Sequence, residues 1–130
     1  MAEDKGVLIV AEVAEGRLLG ITQELLGAGR KLADGLGVKL AAALPGSGVA
    51  GLANEIVAFG ADKVYVMDAP VLKDYSPDAY VAAVQKLCVE SKPQIVLMGQ
   101  TPLGRDLAPR LGFRLNAAVS MDCVELSIDP

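Results

Sequence analysis

Four short apolar runs punctuate the chain, Val7–Ala11, Leu40–Leu44, Val64–Met67 and Ile95–Met98, and a segment of helical periodicity follows each. None of the runs alternates with polar residues. A strand that is apolar on both faces is covered by protein on both faces, so these runs read as the strands of a buried parallel sheet. Leu25, Ala28, Leu32, Ala33 and Leu36 form a stripe that predicts a helix over Thr22–Leu36, with Gly35 and Gly37 as the stop signal. Val49, Leu52, Ile56 and Phe59 predict a second helix, closed by Gly60. Tyr80, Val81, Val84, Leu87 and Cys88 predict a third over Pro77–Ser91, with Ser76 as N-cap, Pro77 at the first helical position and Asp78 complementing the positive helix end. Strand and helix in alternation give a three-layer, doubly wound α/β sandwich with right-handed crossovers. An all-helical bundle does not fit, because the Val/Ile runs are short and lack a polar helical face.

The last third is less regular. If Asp106 caps the fourth helix, Pro109 falls at the third helical position, where its missing N–H costs nothing. The six residues before Asp106, Gln100–Arg105, then form a loop leaving the carboxyl end of the fourth strand. A start one turn earlier, with Thr101 capping and Pro102 first, puts Pro109 inside the helix, so the later start is the expectation. Ser120–Ile128 alternates polar and apolar residues and predicts one half-buried strand, the fifth. Asp129–Pro130 opens a turn, which suggests that more polypeptide follows.

Length and composition narrow the function. At 130 residues the chain reads as one α/β domain with one core. Hydrophobic residues make up 52% and aromatics only 4%, so the core is aliphatic. The net charge of -4 argues against a nucleic-acid surface, and the lack of histidine excludes His-based triads and His metal sites. Cys88 and Cys123 have no metal-ligand spacing and read as buried free thiols. Met1–Gly6 does not read as a signal peptide and no run reaches transmembrane length, so a cytoplasmic protein with no metal and no membrane insertion is expected.

Two stretches are candidate ligand sites. Gly46–Gly51 is a literal GxGxxG between a strand and a helix, with Asp68 ending the next strand, as in a dinucleotide-binding turn. It follows the second strand, however, and Pro45 stiffens its approach, so a plain strand-to-helix turn is the expectation. The second candidate is Thr101–Asp106. Ligands of open α/β sheets lie outside the carboxyl strand ends where connections diverge, and the first and fourth strands are expected to be neighbours there. Thr101 offers a hydroxyl, Gly104 permits close backbone approach, and Arg105 supplies a cation for phosphate or carboxylate. An Arg105–Asp106 surface pair with a capping Thr is the equally open alternative. No phosphate loop of the GxxxxGK[ST] type is present, and no base lies at a defensible spacing from a nucleophile, so no catalytic residue is assigned. Lys86, Glu90 and Lys92 read as a solvated helix face and end.

The run Pro93–Gly99, followed by Thr101-Pro102-Leu103-Gly104-Arg105-Asp106-Leu107-Ala108-Pro109-Arg110-Leu111, resembles the alpha subunits of electron-transfer flavoproteins. Val7–Glu12, Gly60–Val66 and Ala117–Cys123 support the likeness, which extends over essentially the whole chain. The resemblance implies a mostly parallel five-stranded sheet of order 3-2-1-4-5 in an adenine-nucleotide alpha-hydrolase-like sandwich. It further implies a heterodimer with a beta subunit that carries electrons from flavin dehydrogenases to a membrane quinone reductase or another acceptor. FAD would sit in a C-terminal domain outside these 130 residues, with AMP or a second flavin in the beta subunit. The chain itself would be a non-catalytic scaffold without its own nucleotide, its Thr101–Asp106 loop facing the partner or its cofactor.

Two rival readings remain at this level. A stand-alone adenine-nucleotide module similar to universal stress proteins needs a Gly-rich phosphate loop after the fourth strand, and Gly99–Gly104 lacks that spacing. A dinucleotide-dependent enzyme using Gly46–Gly51 needs a substrate domain that the length does not accommodate.

Overall fold

The computed structural model describes residues 6–120 and 125–127. Strand β1 (Val7–Val10) leads into a small hairpin of β2 (Val13–Ala14) and β3 (Arg17–Leu18), then helix α1 (Gly20–Leu36). Strand β4 (Leu40–Gly46) is followed by a 3-10 turn (Ala50–Leu52) and helix α2 (Ala53–Ala58). Strand β5 (Lys63–Asp68), a second 3-10 turn (Pro70–Leu72) and helix α3 (Pro77–Ser91) come next. Strand β6 (Ile95–Leu97), helix α4 (Pro102–Leu115), β7 (Ala118–Ser120) and β8 (Glu125–Ser127) complete the order.

The main sheet runs β5-β4-β1-β6-β8-β7. Its first four strands are parallel, with Val7 opposite both Leu40 and Ile95, and β6, β8 and β7 pair antiparallel. The expected order 3-2-1-4-5 is present as β5-β4-β1-β6-β8, and one further strand lies beyond it. The single strand expected over Ser120–Ile128 is instead two short ones. Ala117 and Val119 are drawn against the core, and a Cβ on Gly112 would collide with Val119, so the chain pairs there before it reverses into β8.

Alternate residues of each central strand feed opposite layers, which is why both faces had to be apolar. Leu8, Val10, Ala41, Ala43 and Val96 pack with Val84, Leu107 and Leu111 beneath α3 and α4. Val7, Ile9, Leu40, Ala42 and Leu44 pack with Leu26, Ala33 and Ile56 beneath α1 and α2. Cys88 is a buried free thiol, as expected, and Cys123 lies outside the described residues.

Helix α3 has the predicted bounds, although the Ser76 side chain makes no capping bond. The expected second helix is shorter, a 3-10 turn before six α-helical residues. Helix α4 corrects the expected start. Thr101, not Asp106, is the N-cap, Pro102 opens the helix, and Pro109 lies within it. Proline in a helix interior forfeits the bond to the carbonyl four residues back, at a cost of about 3 kcal/mol. Against that, the longer helix gains the Thr101 cap and docks buried Gly104, Leu107, Ala108 and Leu111 on the sheet, while exposed Pro109 points away from it. The hairpin Val13–Leu18 was not anticipated. Its two-residue turn places Glu15 and Gly16 both at positive φ, the conformation that matches the twist of short antiparallel strands.

Candidate functional site

The carboxyl ends of β1 and β6 face the N-terminus of α4, and a buried carboxylate fills the space between them. Glu12, one residue past the end of the apolar run, is only 5% exposed. The Thr101 hydroxyl donates to Glu12 Oε2 at 2.8 Å and accepts the Gly104 N–H at 3.1 Å. The Glu12 N–H donates to Thr22 Oγ1 at 2.9 Å, and that hydroxyl donates back to the Glu12 carbonyl at 3.2 Å. Leu19 N–H also donates to this carbonyl, so Glu12 joins β1, the hairpin base, α1 and α4 in one clasp. Burial pushes the Glu12 carboxyl above the usual carboxylate range, and the Thr101 hydrogen bond opposes the shift.

The glycines at this junction allow close packing, of backbone against backbone at Gly104 and of side chains against Gly99. A Cβ on Gly104 would overlap the Gly99 carbonyl oxygen and stand 3.0 Å from its carbon. A Cβ on Gly99 would lie 2.5 Å from Ile21 Cγ1 and 3.0 Å from Glu12 Oε2. Gly104 therefore permits close approach, as its sequence position suggested, but what approaches is the chain itself.

The other two predicted residues point elsewhere. The Arg105 guanidinium is exposed and makes no hydrogen bond or ion pair among the described residues, so the alternative Arg105–Asp106 pair does not form, although Thr101 does cap the helix. Asp106 instead accepts from the Tyr75 hydroxyl at 2.6 Å and from Arg110 Nε at 3.0 Å. These donors, Tyr75 first, hold the Asp106 carboxyl below its ordinary range. Burial and the same hydrogen bond push the Tyr75 phenol up. Of the four candidates, Thr101 and Gly104 meet at the clasp, while Arg105 and Asp106 lie along the solvent side of α4.

The GxGxxG turn is also spoken for. The Gly48 and Val49 N–H groups, which a phosphate would need, donate to Asp68 Oδ1 and Oδ2 at 2.8 and 3.2 Å. Asp68, the residue a ribose would need, thus closes the turn on itself, and the α-helix beyond is only six residues long. Gly46–Gly51 is a plain turn held by a carboxylate. At Gly46–Gly51 the amides a phosphate would need are engaged by Asp68, and at the β6–α4 junction the Thr101 hydroxyl is engaged by Glu12. Among the described residues no group of acidic, Cys or His side chains is arranged to hold a metal, and no helix is long and apolar enough to cross a membrane.

Glu12 is the site residue that sequence reasoning missed. Its only signal was a charged residue directly following a strand apolar on both faces.

The electron transfer flavoprotein domain profile matches residues 7–130. An electron transfer flavoprotein subunit alpha from Thermoanaerobacterium thermosaccharolyticum is 43% identical over 129 residues, 99% of this chain and 39% of that protein. The protein FixB of Clostridium saccharobutylicum is 44% identical over 99% of this chain and 38% of its own length. An acryloyl-CoA reductase electron transfer subunit beta from Anaerotignum propionicum is 42% identical over 125 residues, 96% of this chain and 34% of that protein. The chain thus spans less than two-fifths of the length of these relatives. With the profile matched over residues 7–130 and relatives above 40% identical along nearly the whole chain, the chain belongs to the electron transfer flavoprotein domain family.

Proposed function

We propose that this chain is the scaffold domain of an electron transfer flavoprotein alpha-type subunit, a cytoplasmic electron carrier whose FAD is held by polypeptide beyond these 130 residues. The domain performs no chemistry of its own. It supplies a stiff α/β platform that docks a beta subunit and supports the flavin-bearing part of the subunit. The assembled carrier takes electrons from flavin dehydrogenases and hands them to a quinone reductase or another acceptor. Two of the relatives named above are called electron transfer subunits, which supports the carrier role.

The observation that carries the scaffold reading is the closed crevice. A nucleotide-binding domain of this shape needs free amides and open space at the carboxyl strand ends. Here Glu12, Ile21 and the Gly99–Gly104 backbone contact fill that space, and Asp68 takes the amides of the other turn. A carboxylate at either place repels a phosphate. The same facts weigh against a stand-alone nucleotide sensor.

Thermal unfolding in the presence of ATP, AMP and FAD tests the reading. A ligand at a hundred times its dissociation constant stabilises by about 2.7 kcal/mol, an easily visible shift. No shift is expected with any of the three. Stabilisation by micromolar ATP or AMP would make the domain a nucleotide sensor.

A further inference from the structure

We propose that the open groove between α3 and α4 joins this chain to a second copy of itself about a two-fold axis, with Phe113 of each copy seated in the groove of the other. Such a contact goes beyond the scaffold role, which does not require it. Phe113 is 88% exposed, the most exposed of the large apolar side chains among the described residues. It borders a groove of about 390 Å³, lined also by Asp78, Val81, Pro109, Arg110 and Arg114. The ring does not fill the groove it borders, so ring and groove are both left for another molecule, whose burial of them is favourable.

The groove has the make-up of an interface. Buried Val81 and exposed Pro109 give it an apolar lining, and no Lys or Glu borders it. Val89, on the same stripe of α3 as Val81 and Gln85, is 59% exposed and extends the apolar surface. Protein interfaces are enriched in aromatic residues and Arg and depleted in Lys and Glu, and binding energy concentrates on such anchors. The outer face of α1, with Glu24, Lys31 and Asp34, is the ordinary solvating kind.

Charge selects the occupant. Arg110 is paired with Asp106 of its own helix at 3.0 Å. One charge of each sign is left in the groove, Asp78 in the first turn of α3 and Arg114 in the last turn of α4. Asp78 makes no hydrogen bond or ion pair among the described residues, and Arg114 gives one N–H to Gln85 at 3.4 Å and keeps the rest of its fork. The Tyr75–Asp106 and Gln85–Arg114 bonds show that α3 and α4 run side by side in the same direction. Asp78, near the start of one helix, and Arg114, near the end of the other, therefore mark opposite ends of the groove. A two-fold axis across it reverses the helices of the second copy. Asp78 of each copy then meets Arg114 of the other, with the two Phe113 rings packed between these pairs. A partner whose charge is all of one sign would satisfy one end and be repelled at the other.

The test uses the full-length protein that contains these residues, in the assembly in which it is purified, with mass followed by sedimentation velocity over a range of concentration. The wild type is expected to double in mass reversibly, with a dissociation constant of about 1–100 μM for an interface of this small kind. Phe113→Asp weakens the doubling about tenfold or more, and so does each of Asp78→Lys and Arg114→Glu. All three side chains are exposed, so the circular dichroism of these variants stays that of the wild type. Mixing the Asp78→Lys protein with the Arg114→Glu protein restores the association, because a mixed pair holds one original and one reversed charge pair. Lys31→Glu on α1 leaves it unchanged. A wild type that keeps a single mass up to about 1 mM overturns the proposal. So does a doubling that Phe113→Asp leaves within about twofold, and so do charge variants that fail to restore one another on mixing.

Discussion

Alanine replacing glycine has opposite consequences at two positions of this fold, and the structure fixes both signs. Gly27 lies inside α1, and a Cβ there meets nothing within 4 Å. Gly27→Ala therefore gains helix propensity with no steric penalty, a stabilisation of about 1 kcal/mol. Gly104 lies in the first turn of α4, and its Cβ would overlap the Gly99 carbonyl oxygen. The obstacle is backbone, fixed at the end of β6, and cannot swing aside as a side chain can. Relief requires α4 to move away from the sheet, which strains contacts at buried Leu107 and Ala108 and lengthens the Thr101 cap. Overpacking of this kind costs about 1–3 kcal/mol and a lost cap about 1 kcal/mol. After the helix gain of about 1 kcal/mol is subtracted, Gly104→Ala destabilises by about 1–3 kcal/mol. For a domain of this size that is a fall of roughly 4–12 °C in Tm, against a rise of roughly 4 °C for Gly27→Ala. Urea unfolding followed by circular dichroism measures both, with the midpoint read at unchanged slope. A Gly104→Ala variant as stable as wild type would refute the close packing of α4 on the β6 turn.

Other consequences concern titration and reactivity. Because burial raises the Glu12 pKa above its unfolded value, the folded state holds the extra proton between the two, so this group lowers stability as pH rises through that window. Glu12→Gln removes the effect, and the stability difference between variant and wild type should grow in the variant's favour from pH 4 to pH 8; a difference that does not change with pH would refute it. Asp106 is shifted the other way, so its contribution is present above its unfolded pKa and is lost as pH falls through the folded one. Asp106→Asn should therefore lower Tm at pH 7 and leave it unchanged in strong acid, and it should lower the pH at which Tyr75 ionises, read by ultraviolet titration. Burial pushes the Cys88 thiol up to about 12, so in a Cys123→Ser background a thiol reagent at pH 8 should react only after denaturant is added.

What the residues disclosed in advance, and what they withheld, follows from the range of the interactions. β1, β4 and β6 were legible because burial on both faces writes an uninterrupted apolar run; β5 carries such a run too, Val64–Met67, although as the edge strand it is only half-buried and Val66 is exposed. α3 was legible because Pro77 and Lys92 bracket a clear stripe. The start of α4 was not, because the local cost of Pro109 pointed to Asp106 while the cap and the buried Leu107 and Leu111 decided for Thr101. The β2–β3 hairpin was missed since two-residue strands leave no periodicity. Thr101 and Gly104 were correctly placed at the switch point, yet their purpose depends on Glu12, which reaches them across 89 positions of chain. Nothing local to Glu12 marks it as buried. Gly46–Gly51 shows the converse: a motif complete in sequence has its amides claimed by Asp68, a distant residue in sequence but adjacent in the sheet.

The position of β1 in the middle of the sheet bears on how the protein is made. Its two neighbours are β4, available early in synthesis, and β6, whose Ile95 pairs with Val7. Until the segment through Leu97 has left the ribosome, β1 has one edge with unpaired peptide groups and the apolar side chains of its α3–α4 face uncovered. The nascent chain therefore presents an aggregation-prone strand until then, and the steps that end this exposure are the arrival of β6 and the seating of α4 over it.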